Sequence, residues 1–268
     1  MKLVAEGRTD QGLVRLNNED NYCLDADGGV LVVADGMGGH ASGEVASKMA
    51  VDVIQRFLSE TVGADERIIG AYREEYSKIT NTIGSAIRLA NMAIYEAAQK
   101  NPSWRGMGTT LSAVVLDKGR LSIGHVGDSR VYLVRAGDIM QITDDHTLVR
   151  EQVKRDMMTQ EEADTSEMKH VLTRALGAAS EVMVDLDELT VTDGDALVLC
   201  TDGLSGMVSD DDILSVVLSC DDPAAACGRL IDMANGNGGR DNCTVIVAYL
   251  HKSGWFSSLF SFLKWFRR

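Results

Sequence analysis

The spacing of hydrophobic positions changes period several times along the chain. Residues 21–34 (NYCLDADGGVLVVA) carry two strand-like apolar runs separated by Asp25 to Gly29, which is a hairpin signal. The second run, Val30 to Ala34, predicts a short buried strand. From Ser42 the period becomes helical. Val45, Met49, Val53, Ile54 and Phe57 predict a helix over roughly 43–60. A longer helical pattern predicts a second helix over about 66–100, with Ile79, Ile83, Ala86, Ile87, Ala90 and Ile94 on one face and Pro102 helping to stop it. Three strand-like runs follow, TTLSAVVLD, RLSIGHVGD and RVYLVRAGDIMQI, with Gly119, Gly127 and Gly137 in or near the turns. That spacing predicts an antiparallel meander. Residues 144–170 are polar and helical in part. EVMVDLDELTV and DALVLCTDG return to strand, helical patterns lie near 210–219 and 223–235, and DNCTVIVAYL is a last strand. Strands and helices are grouped rather than alternating one for one. This predicts an α+β fold with two sheets flanked by helices. No repeat or linker interrupts the pattern up to about residue 251.

The 268 residues are enough to bury a sizeable core. A net charge of −14 argues against nucleic acid as a partner, because phosphate backbones repel such a surface. The five cysteines are odd in number and show no C-x-x-C spacing. A zinc knuckle or disulfide framework is therefore disfavoured and a reducing cytoplasm fits. The start of the chain lacks the apolar core of a signal peptide, and no run of about 18 apolar residues is present to span a bilayer.

Candidate chemistry begins at GGVLVVADGMGGHASGE, residues 28–44, where the buried strand meets Asp35 and then Gly36, Gly38, Gly39 and Gly43. A tight strand-to-helix connection is one reading of those glycines. Phosphate binding is a second, since GMGGHA satisfies a dinucleotide-type G-x-G-x-x-A. Asp35 directly before the first glycine counts against it, as does a helical pattern where a second strand should end on an acidic residue. A third reading is metal binding, in which a carboxylate and a bare backbone carbonyl face one point, as hard cations require. The same device recurs. Asp202 and Gly203 follow the run LVLC, Asp128 ends GHVGD, Asp241 precedes the last strand, and Glu19 and Asp20 open an early one. Any one of these aspartates alone reads as a solvated turn residue. Repeated at separate strand ends, they read as an all-oxygen set suited to Mg²⁺ or Mn²⁺ rather than Zn²⁺. Such clustered carboxylates repel without cations, so more than one divalent ion is expected.

GLVRLNNED, VADGMGG, MGTTLSAVVL, GHVGDSRVYLVR, TDDHTLV, LTRALG, LCTDGL and RDNCTVIV occur in this order. Together they resemble the metal-dependent serine/threonine protein phosphatases of the 2C type, in their bacterial branch, over residues 3–250. The resemblance implies a four-layer αββα sandwich of two antiparallel sheets with helices outside. It implies Asp20, Asp35, the Gly36 carbonyl, Asp202 and Asp241 as metal ligands, with Asp35 bridging two ions. Asp128 and Asp202 would hold a weaker third. It implies hydrolysis of phosphoserine and phosphothreonine by a metal-activated water, with no enzyme nucleophile, and Arg15 clamping phosphate. The catalytic set is thus Arg15, Asp35 and Asp202. A surface salt bridge is the other reading of Arg15, given the adjacent carboxylates. Animal members place a histidine, read as the general acid, where this chain has Met37. Protonation of the leaving group would then come from a metal-bound water or another residue, for which His40 is a candidate, while His125 and His146 lie near the motifs without an assigned role.

Two alternatives keep the fold: a catalytically silent phosphoprotein-binding regulator, and a partner-switching phosphatase acting on an anti-sigma antagonist. Expected partners are phosphorylated proteins and a cognate Ser/Thr kinase with its substrates. The catalytic domain is expected over 1–251 and a distinct tail over 252–268. In the tail Trp255, Leu259, Phe262, Leu263 and Phe266 share a helical face, and Ser257, Ser261, Lys264 and Arg268 line the other. Such a tail packs back onto the domain, or it docks a cytoplasmic protein to a membrane face or a membrane-bound partner through residues 255–268.

Overall fold

The computed structural model describes residues 1–38, 42–61 and 68–252. In chain order the strands are β1 (Lys2–Asp10), β2 (Asp20–Asp25), β3 (Val30–Met37), β4 (Gly108–Thr109), β5 (Leu111–Asp117), β6 (Arg120–Val126), β7 (Arg130–Arg135), β8 (Asp138–Gln141), β9 (Asp185–Thr190), β10 (Ala196–Cys200) and β11 (Cys243–His251). The helices are α1 (Ser42–Thr61), α2 (Lys78–Lys100), α3 (Leu148–Lys154), α4 (Gln160–Thr165), α5 (Asp202–Ser205), α6 (Asp210–Ser219) and α7 (Pro223–Gly236). One antiparallel sheet has the order β1-β11-β10-β7-β8. The other has the order β2-β3-β5-β6-β9, with β4 pairing β3.

The expected αββα sandwich is present, and strand alternation explains it. Side chains along a strand point to opposite faces. In β3, Leu31 and Val33 enter a core shared by the two sheets, where they meet Leu133, Leu197, Leu199 and Ile246. Val32 and Ala34 point the other way, into a second core under α1 and α2. The other sheet behaves likewise. Val131 and Leu133 face the β2-β3-β5-β6-β9 sheet, while Tyr132 and Val134 face α6 and α7. Runs such as VLVVA and ALVLC are apolar throughout because both of their faces are buried.

Four expectations change. β1 escapes hydropathy analysis because it is an edge strand on which Leu3 alone is buried. Its place is set by pairing with β11, from Lys2↔His251 to Asp10↔Cys243. The long second helix begins at Lys78, not near 66. Ser77 caps it, and the Asn81 side chain accepts from Arg73 N–H and donates to the Arg73 carbonyl, which holds the preceding segment out of the helix. The expected meander is broken, since β5 and β6 lie in one sheet and β7 and β8 in the other. Finally, β3 runs on through Asp35 to Met37 instead of ending before it. It changes partner there from β5 to β4.

Ile87 of α2 is fully buried against the second sheet. Ile87→Ala is expected to cost about 2–5 kcal/mol, read as a lowered denaturation midpoint. Its dependence on divalent cations should match the parent, because Ile87 belongs to the apolar core under α1 and α2 and does not line the acidic cavity.

Candidate active site

Asp20 and Asp35 are direct partners across the β2–β3 ladder, so two carboxylates start side by side. Asp35 sits where β3 loses β5 as a partner. Its backbone N–H donates to Thr110 Oγ1 at 3.0 Å, and its carbonyl accepts from Thr109 Oγ1 at 2.8 Å. The glycine after it is required by crowding. A Cβ on Gly36 would stand 2.1 Å from the Gly43 carbonyl oxygen and 2.6 Å from that of Glu19. Asp202 opens α5 immediately after β10, Asp241 lies two residues before β11, and Asp128 lies in the crossing between the sheets.

A cavity of 730 Å³ is lined by Arg15, Asp35, Gly36, Asp128, Asp202 and Asp241 among others. Six of the seven expected site residues thus share one space. The seventh, Asp20, is buried behind it and accepts from Thr201 Oγ1 at 2.8 Å. The Arg15 Nη2 donates to Asp241 Oδ2 at 2.6 Å. The ion-pair reading therefore holds in this structure, with Asp241 as partner rather than the neighbouring acidic residues. His40 lies outside the described residues.

Burial drives the electrostatics. It pushes the Asp20 carboxyl up to about 7, against hydrogen bonds from Thr244 and Thr201 and with help from Asp202 and Asp241. Burial, then Asp202 and Asp145, push Asp128 up to about 7. Asp35 is held well above the usual carboxylate range by burial and then by Asp20, Asp202, Asp128 and Asp241. This is the signature of like charges crowded in a site of low dielectric.

The donor set fits divalent cations. The Oδ1 atoms of Asp20 and Asp202 are buried without a hydrogen-bond partner, which is costly unless something positive meets them. Every candidate donor is oxygen, as Mg²⁺ and Mn²⁺ prefer. Among the described residues no three acidic, histidine or cysteine side chains already close on one point. The carboxylates ring the cavity, an arrangement that suits ions retaining several waters.

Sequence reasoning missed other cavity residues. Lys169, His170, Arg174 and Arg240 line it, and His170 Nδ1 lies 3.7 Å from Asp202 Oδ2, a contact that raises the imidazole pKa. The first three come from the irregular segment around 166–184, which has no periodic signal. Asn242 was also missed, although it lies within RDNC. Its Oδ1 accepts from Glu19 N–H at 2.8 Å and its Nδ2 donates to the Gln11 and Asn17 carbonyls at 2.9 Å, so it holds the loop that carries Arg15.

The sequence profile described as Protein phosphatase 2C matches residues 14–227. The chain belongs to this family. A serine/threonine protein phosphatase PstP of Mycobacterium tuberculosis is 39% identical over 241 residues, covering 90% of this chain and 44% of the relative. The chain therefore spans less than half of that protein's length. A serine/threonine phosphatase stp of Listeria monocytogenes is 36% identical over 252 residues, covering 91% of this chain and 94% of the relative. Among solved structures, the M. tuberculosis PstP/Ppp phosphatase superposes with a TM-score of 0.82 at 38% identity, covering 93% of this chain and 99% of that one. A structure of the PstP catalytic domain in complex with two manganese ions gives a TM-score of 0.80 at 38% identity, with coverage of 93% and 99%.

The raised carboxyl pKa values set a pH dependence for the metal-free protein. A group whose folded pKa exceeds its unfolded value binds more protons when folded, so its stabilising effect is complete below the unfolded value and lost as pH rises through the folded one. For Asp20 and Asp128 the window runs from 3.8 to about 7. In excess chelator the melting temperature is expected to fall by several degrees across that window. Asp35→Asn is expected to flatten the fall. A melting temperature that rises steadily from pH 4 to 7 would contradict this.

Proposed function

We propose that this chain is a phosphoprotein phosphatase that hydrolyses phosphoserine and phosphothreonine and depends on Mn²⁺ or Mg²⁺. The observation that carries the reading is the convergence of carboxylates from five separate chain segments on one cavity, with two buried oxygens left unpartnered. Membership of the 2C family and the two manganese ions in the PstP structure support it. Asp20, Asp35, the Gly36 carbonyl, Asp202 and Asp241 would hold two ions, and Asp128 with Asp202 a weaker third. Divalent ions bound there supply charge neutralisation at the phosphoryl oxygens and an acidified water as nucleophile.

The chain's own residues then bind and orient. Arg15 offers a planar fork to phosphate oxygens. With one N–H committed to Asp241 and the side chain half exposed, it stands at the rim where phosphate arrives. Ladder pairing and the Thr109 and Thr110 hydroxyls fix the Asp35 backbone, so its carboxylate keeps one orientation through turnover. Substrates are phosphorylated proteins, and those of a cognate Ser/Thr kinase are the natural set.

Activity on a small phosphoester is expected to require added Mn²⁺ or Mg²⁺. Asp35→Ala and Asp241→Ala should each lower kcat at least about 100-fold at saturating Mn²⁺ while leaving the protein folded. Near-parental kcat in a folded variant removes that residue from the site, and full activity after dialysis against chelator refutes the metal reading.

The division into a catalytic domain, 1–251, and a tail, 252–268, is part of the proposal. It is supported by β11, which ends at His251. The aromatic and basic positions of the tail lie outside the described residues, and their composition suits docking at an anionic membrane surface. A 1–252 truncation should keep its activity on small phosphoesters and lose the co-sedimentation with anionic liposomes expected of the full chain. Equal co-sedimentation, or an unfolded truncation, contradicts the division.

A further inference from the structure

The chain leaves β6 at Val126 and joins β7, in the other sheet, at Arg130. Asp128 lies in this crossing. Gly127 has a φ of +111°, and a Cβ there would stand 2.5 Å from Thr110 Cβ. Asp128 itself is buried, at 9% exposure, and crowded by Asp202. A crossing this tight, carrying a charge this confined, has to be held by its neighbours.

Both backbone polar groups of Gly127 go to one residue. Its N–H donates to His146 Nδ1 at 3.0 Å, and its carbonyl accepts from His146 N–H at 2.8 Å. A ring that accepts at Nδ1 carries its proton on Nε2, which donates to Asp185 Oδ2 at 3.1 Å. Arg174 Nη1 donates to the other oxygen of Asp185 at 2.6 Å. The His146 carbonyl accepts from Thr173 N–H at 2.8 Å. His146 thus ties the Asp128 crossing to Thr173 and Arg174, both of which line the catalytic cavity.

The far side of the crossing is held independently. Ser129 Oγ pairs with Thr110 Oγ1 at 2.7 Å, and the Ser129 carbonyl accepts from Ser112 Oγ at 2.7 Å. Ser112, its hydrogen spent, accepts from His125 Nδ1 at 2.9 Å. The His125 ring lies 4.7 Å from that of His146, tilted by 42°. His125 therefore carries its proton on Nδ1 and His146 on Nε2. Each tautomer is dictated by the hydrogen bond it makes to the crossing or its support.

We propose that His146 is a positioning residue for Asp128. By accepting from Gly127 N–H while Asp185 fixes the ring from behind, it sets where the Asp128 carboxylate sits and hence how tightly the Asp128 position holds a divalent cation. The proposal rests on the reading of Asp128 as a ligand of the weakest ion. The arrangement follows the general pattern in which a partner behind a ligand tunes metal affinity about 10- to 100-fold.

Two substitutions separate the two ends of the ring. In His146→Asn the amide oxygen stands where Nδ1 does and can accept from Gly127. In His146→Gln the amide reaches toward Asp185 and leaves Gly127 unpaired. The full-length variants would be titrated with Mn²⁺, the free ion read by electron paramagnetic resonance, alongside the parent and Asp128→Ala. We expect Asp128→Ala to weaken the weakest site at least about tenfold and His146→Gln to weaken it about tenfold, with the tighter sites unchanged. His146→Asn should stay within about threefold of the parent. A folded His146→Gln with a parental titration overturns the proposal, as does equal weakening by the Asn and Gln variants. If Asp128→Ala itself leaves the titration unchanged, the reading of Asp128 fails and this proposal falls with it. Should His146→Gln not fold, Asp185→Ala carries the test, since it removes the support behind the ring. About threefold weakening is expected, and none overturns the proposal.

Discussion

Asp20 and Asp35 face each other across a strand pair, and neither can move away. The ladder fixes their backbones, threonine hydroxyls hold Asp20 from one side, and Thr109 and Thr110 grip Asp35 from the other. Asp202, Asp128 and Asp241 raise the local negative potential further. Two like charges about 5 Å apart repel by roughly 3 kcal/mol at an effective dielectric near 20. A fold that holds several such charges together without relief loses stability as pH rises toward neutral. The two packed sheets provide the rigidity to hold them, and cations provide the relief. The glycines beside Asp35 follow from the same constraint, because the backbone must pass within contact distance of Gly43 and Glu19 to leave room for the carboxylates.

The sandwich has a second consequence for the site. Its ligand candidates come from both sheets: Asp20 and Asp35 from one, and Asp202 and Asp241 from the ends of β10 and β11 in the other. Any sliding between the sheets would open the cluster. Thr201 bridges the gap directly, since its hydroxyl donates to Asp20 and accepts from the Thr244 N–H. Asn242 bridges it again through the loop carrying Arg15. The interface core and these polar bridges therefore hold the same geometry, one by packing and the other by direction.

Much of this was legible in the sequence because buried strands announce themselves and the aspartates follow them. Asp20, Asp35, Asp128, Asp202 and Asp241 could be read from carboxylates at strand ends, and the ordered motifs added Arg15. Other parts had no local signal. β1 has a single buried side chain, Leu3, and is specified by its partner β11. The crossing at Gly127 looks like an ordinary hairpin turn until the sheets are assigned. His146 and Asp185 are 39 residues apart and meet only through tertiary folding. The wall formed by Lys169, His170 and Arg174 comes from a stretch without periodicity, where composition says little beyond polarity.

Crystals grown with Mn²⁺, with anomalous diffraction recorded at the manganese edge, test the central claim most directly. The account predicts at least two peaks in the cavity. Asp35 should contact both ions, Gly36 O should lie in the first coordination sphere, and Asp202 and Asp241 should complete the set. An anomalous map with no peak within coordination distance of Asp35 would contradict it.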